Sequence, residues 1–253
     1  QNIAMPQYYK AGSIPHKRHT QFRKPDGTLY SEQLVSTEGF SSDYSLLYHN
    51  HPPTQITKTE KAVDVTPNVA EEKMLKHRSF QGFKIKPQKD FLKSRKPVLV
   101  NNDCHIVLAA PQESMKDYFY KNADADEMIF VHEGSGVLKT QYGELAFGYG
   151  DYLMLPRGTI YQIEFATEEN RLFIVESFST IRFPKKYLST YGQLLEHSPF
   201  CARDIRARLT LQTRDEKGDV ARMTKQKGMM DGLNYLHPHF EVIGWGCVCY
   251  LFF

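Results

Sequence analysis

Through the middle of the chain apolar and polar positions alternate with the two-residue period of a half-buried strand, and the alternation is broken at glycine-containing turns. The segment MIFVHEGSGVLKTQYGELAFGYGDYLMLPRGTIYQIEF, Met128 to Phe165, places short apolar runs between such turns and is followed by RLFIVESFS. A succession of runs of this kind predicts a small antiparallel barrel or sandwich. Just upstream, PVLVNNDCHIVLAAP, Pro97 to Pro111, sets two β-branched runs on either side of Asn-Asn-Asp, a strand, turn, strand signal. The fold class is therefore mainly β, with a core over residues 97–182.

The flanks differ from this core. From Gln7 to Ile56, IPHKRH, KPDGTLY and HPPTQ interrupt any helical period and leave short extended pieces such as YSLLYH. Residues 1–96 are read as an irregular N-terminal layer with short strands, wrapping the sheet. Pro52 and Pro53 restrict the residues before them to extended geometry, which puts His49 and His51 on an extended arm. Residues 183–253, opening FPKKYLSTYGQ, carry Pro-initiated pieces and mixed charge, and are read as a connecting segment leading out of the barrel.

Composition narrows the class without naming a function. A chain of 253 residues with 41% hydrophobic, 24% charged and 13% aromatic residues is globular, and the many Tyr and Phe favour strands. A net charge of +3 gives no argument for a nucleic-acid partner, and the basic run from Lys73 to Lys96 is read as a solvated connection. No apolar run approaches the roughly 18 residues of a membrane helix. QNIAMPQYYK lacks a signal peptide's apolar centre, so a soluble, cytoplasmic protein is expected. Cys104 and Cys201 stand alone, and Cys247 with Cys249 is read as a reduced thiol pair rather than a metal site.

Candidate chemistry gathers in three places. His16, His19, His49 and His51 share a stretch with acidic and basic residues, the side-chain types of metal or acid-base sites, but their spacing gives no ready-made site. A packing, hydrogen-bonding or interface role is expected for them, with Arg18 and Arg23 available to carboxylates; the alternative is a contribution to a neighbouring subunit's pocket. Asp124, Asp126 and Glu127 have the chemistry for a hard cation, although three carboxylates on a turn read as a solvated face. His132 has its ring towards either the barrel or solvent, with a structural role. In HPHFE, His237, His239 and Glu241 are the correct ligand types and would share one face of a strand, yet Pro238 suggests an edge and a structural reading is preferred.

HEGSGVL followed by GELAFGYGDYLMLPRGTIYQ resembles the double motif of the cupin superfamily, with Gly134, Gly136, Gly150, Asp151 and Pro156 to Gly158 at the turns. The resemblance implies a cupin-like antiparallel β-sandwich or barrel. Metal-binding cupins carry a His-x-His pair before the Glu of the first motif and a further His after the Pro-x-Gly turn. Here YFYKNADAD precedes Glu127 and Tyr161 takes the later place, so a barrel without metal ligands is expected.

Taken in order, GSIPHKRHTQFR, LYSEQLVSTEGFSSDYSLLYHNHPPTQ, LKHRSF, LKSRKPVLVNND, NADADEMIFVHEGSGVL, YGDYLMLPRGT, GQLLEHSPFCARDIR and HFEVIGW resemble homogentisate 1,2-dioxygenase over almost the whole chain. The resemblance implies ring opening of homogentisate by O2 to maleylacetoacetate, in phenylalanine and tyrosine catabolism. It also implies a mononuclear Fe(II) held by two His and one Glu in a second, C-terminal cupin-like domain, with a further histidine as the acid-base group, and homo-oligomers, trimers or hexamers. The resemblance ends at Trp245, and residues 246–253 are unmatched. The expectation is a truncated polypeptide, inactive and prone to self-association alone; the alternative is a non-catalytic cupin-like fragment or subunit-interaction module. No catalytic, cofactor-binding or metal-ligating residue is then assigned within it, and no cofactor is expected to bind it.

Overall fold

The computed structural model describes residues 9–17, 20–39, 44–71, 74, 76–191, 193–201, 204–206 and 211–247. Strands run Tyr9–Gly12 (β1), Ser31–Ser36 (β2), Tyr44–His49 (β3), Ile56–Thr59 (β4), Val63–Asp64 (β5), Lys96–Val100 (β6), Cys104–Ala109 (β7), Tyr118–Asn122 (β8), Asp126–Glu133 (β9), Gly136–Thr140 (β10), Gly143–Phe147 (β11), Tyr152–Leu155 (β12), Ile160–Phe165 (β13), Arg171–Ser177 (β14), Val220–Gln226 (β15), Met229–Tyr235 (β16) and Val242–Cys247 (β17). One α-helical turn, Phe91–Ser94 (α1), precedes β6. No described helix is long and apolar enough to cross a membrane.

Two sheets enclose the main core. One has the order β12-β9-β14-β7-β6, and the other runs β11-β10-β13-β8-β15-β16-β4 with β5 also paired to β16. Pairing is antiparallel except between β8 and β15, which a long crossover allows to run parallel. The alternation read from the sequence holds on β9, where Ile129 and Val131 point inward and Met128, Phe130 and His132 lie on the other phase. Between the sheets pack Phe91, Val107, Tyr120, Ile129, Leu138, Leu155, Ile163 and Ile174. Asn101 makes the β6–β7 turn, its Oδ1 accepting from the backbone of Asp103 and Cys104, both at 2.8 Å.

The segment read as a connection carries β15, β16 and β17. The first two extend the larger barrel sheet, β15 pairing along β8 and β16 along β15, with Met223 and Met230 packed against the core. The third lies in a separate sheet of order β1-β17-β3-β2, so the N-terminal layer is built around a strand from the far end of the chain. Trp245 on β17 clamps this sheet to the barrel: its Nε1 donates to the Tyr142 carbonyl at 2.8 Å and its ring meets Tyr142 edge-on at 5.5 Å. The ends of β1 and β17 cross so closely that a Cβ at Gly244 would fall 2.0 Å from the Ser13 carbonyl, which admits only glycine there.

Two carboxylates expected on a solvated turn are inside. Asp126 and Glu127 begin β9 and are 3% and 1% exposed. The turn ends at Ala125, two residues before the carboxylate cluster does, where Asn122 Oδ1 closes it on the backbone of Asp124 and Ala125, both at 3.0 Å.

Candidate functional site

The charged groups of the barrel are organised around Arg95. Asp90 caps α1, accepting from the Lys93 backbone at 2.9 Å and from the Tyr118 hydroxyl at 2.7 Å, while Phe91 is fully buried. The turn is thereby anchored and Arg95 at its end is directed into the barrel, over the rings of Phe91 and Tyr120. One guanidinium nitrogen lies 2.5 Å from Glu127 Oε1 and 2.5 Å from Glu176 Oε1. The second oxygen of Glu127 accepts from the Tyr161 hydroxyl at 2.8 Å, and that of Glu176 from Lys225 Nζ at 2.6 Å. Asn122 donates to Glu176 Oε1 at 3.4 Å, and His105 Nδ1 lies 3.4 Å from Glu176 Oε2.

Two carboxylates and two cations balance, and every carboxylate oxygen in the set is engaged. Burial opposes the charge on Arg95, but Glu127, Tyr120 and Glu176 hold the guanidinium charged. Burial also raises the Glu176 carboxyl, yet Arg95 and Lys225 outweigh it and keep the group below the usual carboxylate range. Burial and the neighbouring Glu127 push Tyr161 well up, so it remains a neutral hydrogen-bond donor.

A 2-His-1-carboxylate iron centre needs two imidazoles and a carboxylate with free lone pairs. Here Arg95 bridges the two carboxylates and His105 is the one imidazole in the set. This set offers one imidazole and carboxylate oxygens that are all engaged, not the two imidazoles and open carboxylate of such a centre.

The histidines go elsewhere. His49 is completely buried, with Nδ1 3.0 Å from Glu241 Oε1 and Nε2 2.9 Å from Gln33 Oε1. It ties β2 and β3 to the entry of β17. His51 Nε2 lies 2.8 Å from Asp215 Oδ1, and its ring stacks on that of His237. His16 is exposed. Arg23 holds its own turn through the Gly27 carbonyl at 2.7 Å and Gln21 at 2.6 Å, rather than a carboxylate. Arg18, His19 and Cys249 lie outside the described residues.

HPHFE is the turn between β16 and β17, so strand alternation does not apply and its three side chains diverge. His237 meets His51, His239 Nε2 accepts from Arg222 at 2.9 Å, and Glu241 meets His49. Burial together with Arg222 holds His239 far below the usual imidazole range, leaving a lone pair for that bond, while burial lowers Arg222 to about 10. His132 projects outward among Phe83, Phe130 and Tyr149. Asp124 accepts from the backbone of Lys227 at 2.5 Å and Gly228 at 3.0 Å, fixing the β15–β16 hairpin.

Sequence reading passed over Arg95, Glu176, Lys225 and Asp215. Glu176 carried a signal: in RLFIVES it falls on the inward phase with Leu172 and Ile174, and an acid in that phase calls for a buried cation.

The family model for the homogentisate 1,2-dioxygenase N-terminal region matches residues 8–252. The chain belongs to this family. The match to the homogentisate dioxygenase N-terminal model takes in residues 246–252, beyond the motifs that carried the resemblance. A protein of Saccharolobus solfataricus, provisionally named a dioxygenase, is 35% identical over 249 residues, covering 97% of this chain and 63% of its own length. The chain therefore spans less than two thirds of that relative. Among solved structures, a cupin-2 domain protein of Shewanella frigidimarina is 23% identical over 33% of this chain and 79% of its own, with a TM-score of 0.29. A cupin superfamily protein of Desulfitobacterium hafniense is 12% identical over 44% of this chain and all of its own, with a TM-score of 0.35.

Proposed function

We propose that the chain serves the O2-dependent ring opening of homogentisate to maleylacetoacetate in the cytoplasm, and that its part is to scaffold the reaction. Family membership supports the reaction class. The observation that carries the scaffold reading is the Arg95 bridge between Glu127 and Glu176, which commits both inward carboxylates of the barrel to ion pairs. Both atoms of dioxygen end in the ring-opened product, so the reaction needs no separate reductant. By family resemblance Fe(II), held by two histidines and a glutamate in other residues of the complete enzyme, supplies the oxygen chemistry.

The residues of this chain then do structural work for that centre. Arg95 and Lys225 lock β9, β14 and β15 together, and His49 with Glu241 fixes the N-terminal sheet. Tyr152 and Phe173 on the outer face of the smaller barrel sheet, and Phe83 beside it, are 52%, 37% and 58% exposed, apolar side chains that contact with another subunit would cover; the trimer or hexamer itself comes from the family resemblance.

A fusion of this chain to the remaining third of the Saccharolobus relative tests the proposal. Loaded with Fe(II), it is expected to consume oxygen with homogentisate and to release the ring-opened diketo acid. Uptake with catechol or gentisate and none with homogentisate would remove the substrate assignment.

A further inference from the structure

Outside the barrel, three potential ligands meet on the surface joining the two ends of the chain. His51 comes from the arm after β3, Asp215 from the stretch before β15, and His237 from the β16–β17 turn. One ligand atom of each lies within 4.8 Å of the other two, and among the described residues these are the His, Cys, Asp and Glu side chains so gathered. His51 Nε2 is 2.8 Å from Asp215 Oδ1, and Asn50 Nδ2 donates to Asp215 Oδ2 at 2.9 Å, leaving Oδ1 directed at the imidazoles. The rings of His51 and His237 lie face to face, centroids 3.7 Å apart and planes 8° from parallel. Nδ1 of His237 is buried with no hydrogen-bond partner.

An orphaned imidazole nitrogen is costly where it is shielded from water, and the internal hydrogen bonding gives no reason for this one. We propose that His51, Asp215 and His237 form a site for one divalent transition-metal ion of the zinc class. Two imidazoles and one carboxylate suit such an ion and disfavour Ca(II) and Mg(II), which select oxygen.

Four-coordinate bonds of about 2.1 Å set ligand atoms about 3.4 Å apart, so the widest pair closes by at most about 1.4 Å and the His51–Asp215 pair opens by about 0.6 Å. Stacked rings aim their lone pairs side by side, so His237 tilts out of the stack to share the ion. Asn50 is the outer partner that orients the carboxylate. Asp215 is 41% exposed at the side chain, which leaves water the fourth position. The bound ion would staple the N-terminal arm to the turn leading into β17, a role independent of ring opening.

The test is zinc titration of the chelator-treated full chain by calorimetry, with Co(II) absorption as a geometry readout. One equivalent is expected, with a rise in unfolding temperature and the intense visible bands of four-coordinate cobalt. Asp215→Ala and His237→Ala are each expected to weaken binding at least about ten-fold and to abolish the thermal shift. No binding by the unsubstituted chain would overturn the proposal. So would binding unchanged in both variants, or binding lost only in Cys247→Ser/Cys249→Ser.

Discussion

Arg95 and Glu127, from the end of a single helical turn and the start of a barrel strand, meet at 2.5 Å with side chains only 9% and 1% exposed. A buried pair of this kind is weak evidence for stability by itself, since desolvation offsets much of the attraction. Its removal from one side is another matter, because the surviving charges lose their counter-ion. Arg95→Met is expected to cost about 3–5 kcal/mol in chemical denaturation. Arg95→Met with Glu127→Gln should cost less than the two single changes added together. Strict additivity would show that the two groups do not interact.

Tyr161 supplies the hydroxyl for the other Glu127 oxygen. Tyr161→Phe keeps the ring in its packing against Phe91 and Tyr120 but strands a buried carboxylate oxygen. A loss of about 1–3 kcal/mol in unfolding free energy is expected. A neutral outcome would mean that water reaches Glu127.

The depressed Glu176 carboxyl makes a statement about acid. A group whose folded value lies below its ordinary 4.5 contributes stability that is present above 4.5 and is lost as pH falls through the lower folded value. Unfolding free energy measured from pH 6 downward should therefore decline in that window. Glu176→Gln should be less stable at neutral pH and show a shallower decline. An unchanged acid slope in the variant would assign the effect to other groups.

Trp245 joins the N-terminal sheet to the barrel, being buried against Ala11, Leu47 and Val242 as well as Tyr142. Trp245→Ala is expected to cost about 3–5 kcal/mol. Trp245→Phe should recover most of the packing and lose the bond to the Tyr142 carbonyl. Limited proteolysis would show the N-terminal layer cut first in the alanine variant, and uniform cleavage would contradict the clamp.

The barrel was legible because its signals are local. Alternation on Met128 to Phe165 and glycines with positive φ at 134, 150 and 158 describe strands and turns without reference to distant chain. What escaped depends on pairing across long separations. His49 and Glu241 are 192 residues apart and Arg95 and Glu176 are 81 apart, and no spacing rule connects them. The basic run that ends at Lys96 looked solvated, and most of its described residues are exposed, yet Phe91 draws Arg95 inside. HPHFE misled in the opposite sense: its ligand types are correct, but the turn at Pro238 sends them to three separate partners.

Oxygen uptake by this chain, loaded anaerobically with Fe(II) and then given homogentisate and air, tests the scaffold reading most directly. With Arg95 between Glu127 and Glu176, no homogentisate-dependent uptake is expected from the chain alone. Iron-dependent uptake that disappears in Glu127→Gln, with the fold intact by circular dichroism, would show that the barrel itself holds the catalytic metal.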